Sequence, residues 1–162
     1  MRKFSRSLML LLSLFLLQQA KAQNTSGGDM NGHIAFNETD LKWMDAPPVF
    51  PKGAQMAVLQ GDPSKEGEFT VRLKMPANYK IAPHWHPTAE NVTVIKGEFY
   101  IGTGDKLDET TATQLKLGGF ASIPALHHHF AFANGECVVQ VHAMGPFQLT
   151  YINPADDPSK QQ

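Results

Sequence analysis

The chain has 162 residues, 42% of them apolar and 18% charged, which suits one soluble domain with its own core and excludes a disordered or fibrous chain. The formal net charge of −1 becomes −5 once residues 1–22 are set aside, because 10 basic residues then face 15 acidic ones; that balance argues against nucleic acid or anionic lipid as a partner. A single cysteine, Cys137, allows no internal disulfide, so burial must hold the fold, helped by a metal or by association.

In chain order, Arg2, Lys3 and Arg6 precede an apolar run from Leu8 to Leu17 and the small-residue sequence Ala20-Lys21-Ala22, the layout of a cleavable secretory signal. The apolar run has about half of the roughly 20 residues that a membrane-crossing helix needs. The mature chain is therefore expected to begin at Gln23, to keep no membrane span, and to be exported to a periplasmic or extracellular space. Residues 23–40 are small, polar and glycine-bearing, and read as a flexible leader. The folded unit is expected over 41–154, with a loose tail at 155–162.

Within that unit glycines and prolines recur too often for ordinary helices. Phe69, Val71, Leu73 and Met75 alternate with Thr70, Arg72 and Lys74, the period of a strand with one buried face. Further short strands are expected near 54–59, 91–96, 99–102, 120–123, 130–133, 137–141 and 147–152. Residues 105–117 lack both glycine and proline, and there one short helix is expected near 108–116, capped by Asp108 and stopped by Gly118 and Gly119. So many short strands make an all-β sandwich or barrel, and the pattern leaves both open. Cys137, inside an apolar run, is expected to be buried and inert.

The histidines carry the chemistry. His84, His86 and Glu90 lie together in the run APHWHPTAENVTVIKGEF. His84 and His86 are two apart, so on a strand both imidazoles leave from one face while Trp85 leaves from the other. Pro87 cannot continue a hydrogen-bonded ladder; the chain turns there, and Glu90 can return its carboxylate to the same interior. A fourth ligand can come from IPALHHHFAFANGE, where His127 and His129 share a strand face that His128 opposes. His33 falls in the leader. Gln140 and His142 share one face of a late strand, and alternation alone leaves open whether that face lines the cavity or meets solvent.

These residues resemble two motifs of the small single-domain cupins. The first runs glycine, five residues, H-x-H, three or four residues, glutamate, six residues, glycine; His84, His86, Glu90 and Gly97 fit it, with Asn78 in place of the leading glycine. The second runs glycine, five residues, proline, one residue, glycine, two residues, histidine, three residues, asparagine. Gly118, Pro124 and His129 fit that one, with Leu126 in place of the second glycine and Ala133 in place of the asparagine. The resemblance spans most of residues 41–154. It implies an all-β jelly-roll barrel with a metal bound by His84, His86, Glu90 and His129, and it chooses His129 over His127. It also implies a homodimer.

Three neutral imidazoles and a carboxylate around one divalent transition ion leave a formal charge near +1 and open coordination positions. The mixed nitrogen and oxygen set suits manganese, iron, nickel, copper or zinc. Few basic residues sit near the motifs, which argues against phosphorylated substrates and for a small neutral or weakly acidic molecule that binds through oxygen. The favoured reading is a metal-dependent oxidoreductase of the dioxygenase type, with Glu90 both ligand and catalytic proton acceptor. Alternatives are a metal-dependent isomerase or decarboxylase, a non-catalytic binder of metal or a small ligand, and a barrel that binds no metal. Because the ligands must be unprotonated, metal affinity is expected to fall below about pH 6.5, the free-histidine value.

Overall fold

Backbone punctuation sets the size of every element: strands run from two to nine residues between turns built on glycine, proline and Asx side chains. The computed structural model describes residues 33–161; the expected signal segment (1–22), most of the expected leader (23–32) and Gln162 lie outside the described residues. Among the described residues eleven antiparallel strands follow one another: β1 Met44–Asp45, β2 Gln55–Gln60, β3 Gly67–Met75, β4 Tyr79–Trp85, β5 Glu90–Lys96, β6 Phe99–Thr103, β7 Thr113–Leu115, β8 Phe120–Ile123, β9 His129–Ala133, β10 Cys137–Gly145 and β11 Thr150–Tyr151. No helix among the described residues is long and apolar enough to cross a membrane.

Two sheets result, in the orders β1-β2-β3-β10-β5-β8 and β11-β4-β9-β6-β7. The non-sequential neighbours are those of the all-β jelly roll. The two ladders do not merge into one closed cylinder, so β1, β8, β11 and β7 remain edges. Three of these are only two or three residues long and offer little backbone for stray pairing. The alternation of β3 is as read: Phe69, Val71, Leu73 and Met75 are buried between the sheets. They meet Val92, Val94, Val139 and Val141 of their own sheet and Tyr79, Ile81, Phe99 and Ala131 of the other. Gly97, the last glycine of the first motif, has φ +76°, and a Cβ there would strike the Glu136 carbonyl, so the β5–β6 turn admits only glycine without rearrangement.

The short helix expected near 108–116 is not formed. Asp108 does act as a cap, accepting from Thr110 N at 3.0 Å, but the cap opens a single 3-10 turn, Glu109–Thr111. The threonine hydroxyls bond back to Asp108, which competes with helix propagation, and the next residues pair instead with β6, Thr113 opposite Ile101 and Leu115 opposite Phe99. The strand expected over 147–152 is likewise cut to Thr150–Tyr151. Pro146 offers no N–H, and the Phe147 N–H goes to the Pro63 carbonyl at 2.7 Å rather than to a ladder.

Candidate metal centre

His84 and His129 are direct partners across the β4–β9 ladder, and His86 follows just after β4 ends. Glu90 opens β5 in the facing sheet. Three imidazoles thus come from one sheet and the carboxylate from the other, and the group bridges the two layers. The turn through Pro87 that returns Glu90 is formed as read from the sequence.

A register shift brings His84 and His86 inward. Tyr79, Ile81 and Pro83 are buried on odd positions, and strict alternation would then send His84 and His86 outward. Between Ile81 and His84 the β4–β9 pairing slips by one residue, in a span that contains Pro83, which has no N–H to give the ladder. Beyond that bulge the even positions face the core.

His84, His86 and His129 are 3%, 3% and 2% exposed. Each donates from Nδ1–H to a backbone carbonyl: His84 to Ala82 at 2.7 Å, His86 to Gln148 at 2.7 Å, His129 to His127 at 2.9 Å. A carbonyl can only accept, so each bond fixes the ring's orientation and leaves Nε2 as the atom available to a cation. The ligand atoms of the three lie within 4.8 Å of one another. Ligands at the tetrahedral angle on an ion with bonds of about 2.1 Å stand about 3.4 Å apart, so the trio would close by at most about 1.4 Å around one. Glu90 Oε2 lies 3.5 Å from His129 Nε2 and 3.7 Å from His86 Nε2. His86 Nε2 is buried and has no hydrogen-bond partner, a state that is costly unless something else satisfies it. An oriented, dry set of three nitrogens and one carboxylate, with one nitrogen orphaned, fits a divalent transition ion.

Burial pushes the His84 imidazole down to about 3, helped by His129 and His86 beside it, and burial also lowers His86. Burial by itself would raise the Glu90 carboxyl, but the surrounding imidazoles of His129, His86 and His84 outweigh it and hold it as a carboxylate. Burial thus makes these two imidazoles harder to protonate than free histidine.

The remaining histidines are sorted by position. His127 does not share a face with His129, because β9 begins only at His129; His127 sits exposed in the preceding turn. His128 points away and bonds Asp105 at 2.6 Å. Gln140 and His142 lie on the outer face of β10, where His142 Nδ1 meets Thr70 Oγ1 at 2.9 Å and His142 Nε2 meets Gln140 Nε2 at 3.0 Å. His33 is exposed.

The substituted motif positions also have a physical basis. Asn78 has φ +60° and Leu126 φ +63°, so both keep the left-handed backbone that glycine would supply. Asn tolerates it; for Leu126 it is strained. The Leu126 N–H donates to the His86 carbonyl at 2.8 Å, which ties the second motif's turn to the first motif's ligand. Sequence reading missed two neighbours of His86: the Gln148 carbonyl, a backbone group that no residue type announces, and Phe147, whose ring stacks on the imidazole at 4.3 Å between centroids and 22° between planes.

A model of the ChrR cupin-like domain matches residues 31–147. The chain belongs to this cupin family. Solved structures similar to this cupin include the polyketide cyclase RemF from Streptomyces resistomycificus, at 18% identity and a TM-score of 0.64 over 79% of this chain and 92% of that one. A candidate acetylacetone dioxygenase from Methylibium petroleiphilum PM1 aligns at 20% identity and a TM-score of 0.59 over 76% and 84%. An RmlC-like cupin from Ralstonia eutropha JMP134 aligns at 19% and 0.57 over 75% and 73%. At these identities the likeness is one of fold. Comparison with curated protein sequences finds no match.

Proposed function

We propose that this cupin holds one divalent transition ion on His84, His86, His129 and Glu90, and uses it in dioxygenase-type oxidation of a small oxygen-bearing molecule such as an enol, phenol or diketone. The observation that supports the ion most strongly is the convergence of three carbonyl-oriented imidazoles on one dry point with His86 Nε2 unpartnered. The substrate class rests on the cavity around them. Apart from those four residues its lining is wholly apolar, with Phe69, Leu73, Val92 and Phe99 among its walls, so nothing there would pair with a phosphate or a strongly charged group. The diketone named in the description of the Methylibium relative is a molecule of this class.

The protein's own part in the chemistry follows from placement. The apolar walls exclude water and strengthen electrostatic interactions around the carboxylate. Among the described residues that line the cavity, Glu90 carries the only carboxylate, so it is the group that can accept a hydroxyl or α-carbon proton from a bound substrate. When bound, the ion would supply Lewis acidity toward a substrate oxygen and, if redox-active, electrons for dioxygen.

Elemental analysis of the purified protein should find about one ion per chain, lost in His86→Ala and kept in His128→Ala. Oxygen uptake with metal restored, against catechols, flavonols and diketones, then tests catalysis. A second reading, a non-catalytic metal holder, draws support from the small free space beside the site, about 50 Å³; metal retention with no turnover anywhere would favour it. We further propose export through residues 1–22, which N-terminal sequencing of the secreted chain would test by a start at Gln23.

A further inference from the structure

The free space of about 50 Å³ is about a third of the roughly 150 Å³ of a cavity that takes up benzene, too little for the enols, phenols or diketones proposed above. Since a single water needs roughly 10–15 Å³ by this measure, it holds at most about three to five waters. Something in the wall must move. Most of the lining belongs to strands held in ladders, and displacing such a residue breaks backbone pairing. Besides His86 itself, Phe50, Pro63, Phe147 and Leu149 lie outside the strands, and all four are half-buried. Of these, Phe147 is stacked on the site histidine His86, with its other aromatic contact edge-on to Phe69 at 5.3 Å.

Resting on the reading above, we propose that the Phe147 ring is the door of the cavity and sets which oxygen-bearing molecules reach the ion. The backbone around it cannot open cheaply. Phe147 N–H is bonded to the Pro63 carbonyl, the Gln148 carbonyl holds His86 Nδ1–H, and the Met144 carbonyl accepts from Thr88 Oγ1 at 2.8 Å. Lifting the segment would release a ligand from its orienting bond, whereas turning the ring about its own side-chain torsions breaks no hydrogen bond. The segment therefore works as a fixed frame with a movable panel, and the panel's size sets the size of what enters.

The test uses full-length protein loaded with Co²⁺, whose visible absorption reports new ligands at the ion. In Phe147→Ala, association of acetylacetone should accelerate about tenfold or more while that of azide, small enough to pass the closed ring, changes less than about threefold. Phe147→Trp should slow acetylacetone. Equal acceleration of both probes would mean a loosened centre and would overturn the proposal, as would wild-type rates in both variants. A second arm needs no metal. Fluorobenzene, followed by ¹⁹F NMR, should bind metal-free Phe147→Ala and not the wild type; equal binding would also sink the door. If the wild type takes up no Co²⁺ at all, the metal reading fails, and this second arm still judges the door. Matching near-ultraviolet circular dichroism of the variants shows that each comparison is made on folded protein.

Discussion

The two faces of β10 look onto two kinds of imidazole environment. On the inner side, beyond Val139 and Val141, lie His84, His86 and His129, each bonded through Nδ1 to a carbonyl and buried. On the outer side His142 has both nitrogens engaged, with Thr70 and Gln140, and Gln140 in turn accepts from Arg72 Nε at 3.1 Å. A histidine becomes a ligand candidate when one nitrogen is oriented and the other is left dry and unsatisfied; a satisfied, exposed histidine is only surface structure.

The largest effect that sharpens this contrast is loss of the ion. His84→Ala or His86→Ala should weaken Co²⁺ or Zn²⁺ binding by more than about 100-fold in calorimetric titration, whereas His142→Ala should leave it within about threefold and cost only about 1 kcal/mol in urea unfolding. Comparable metal loss on both faces would erase the distinction. Next comes Glu90→Gln, which keeps the shape and removes the charge; affinity should drop about 10- to 100-fold.

Acid comes third. Between pH 6.5 and about 3 the unfolded chain binds a proton at His84 and the folded one does not, so stability of the metal-free protein should fall as pH falls through that window and stay level above it. The loss should reach a few kcal/mol by chemical denaturation. The smallest effect is at Leu126: glycine there should stabilise by about 0.5–1 kcal/mol, strain relief offset by glycine's own entropy, without altering metal binding. A destabilised Leu126→Gly would show that the leucine side chain does something its exposure of 62% hides.

Much of the fold and most of the site are legible in local pattern. The alternation in β3, the breaks at Gly97 and Pro87, and the pairing of His84 with His86 are properties of a few neighbouring residues, and such properties survive folding. The helix expected near 108–116 does not form because pairing along β6, which no window of the sequence displays, outcompetes a weak cap. His127 lands off the ligand face because the start of β9 depends on where the preceding turn ends.

By itself, then, the sequence determined that His84 and His86 would travel together and that Glu90 would turn back toward them, since strand period and proline geometry act over a few residues. Only the tertiary structure decided that they face inward: the slip between Ile81 and His84 inverts the alternation set by Tyr79 and Ile81, and ladder register is a property of two strands. The Gln148 carbonyl that orients His86 and the Phe147 ring that covers it also arrive from far along the chain. Contacts at that separation are written in packing, where many weak terms are summed at once.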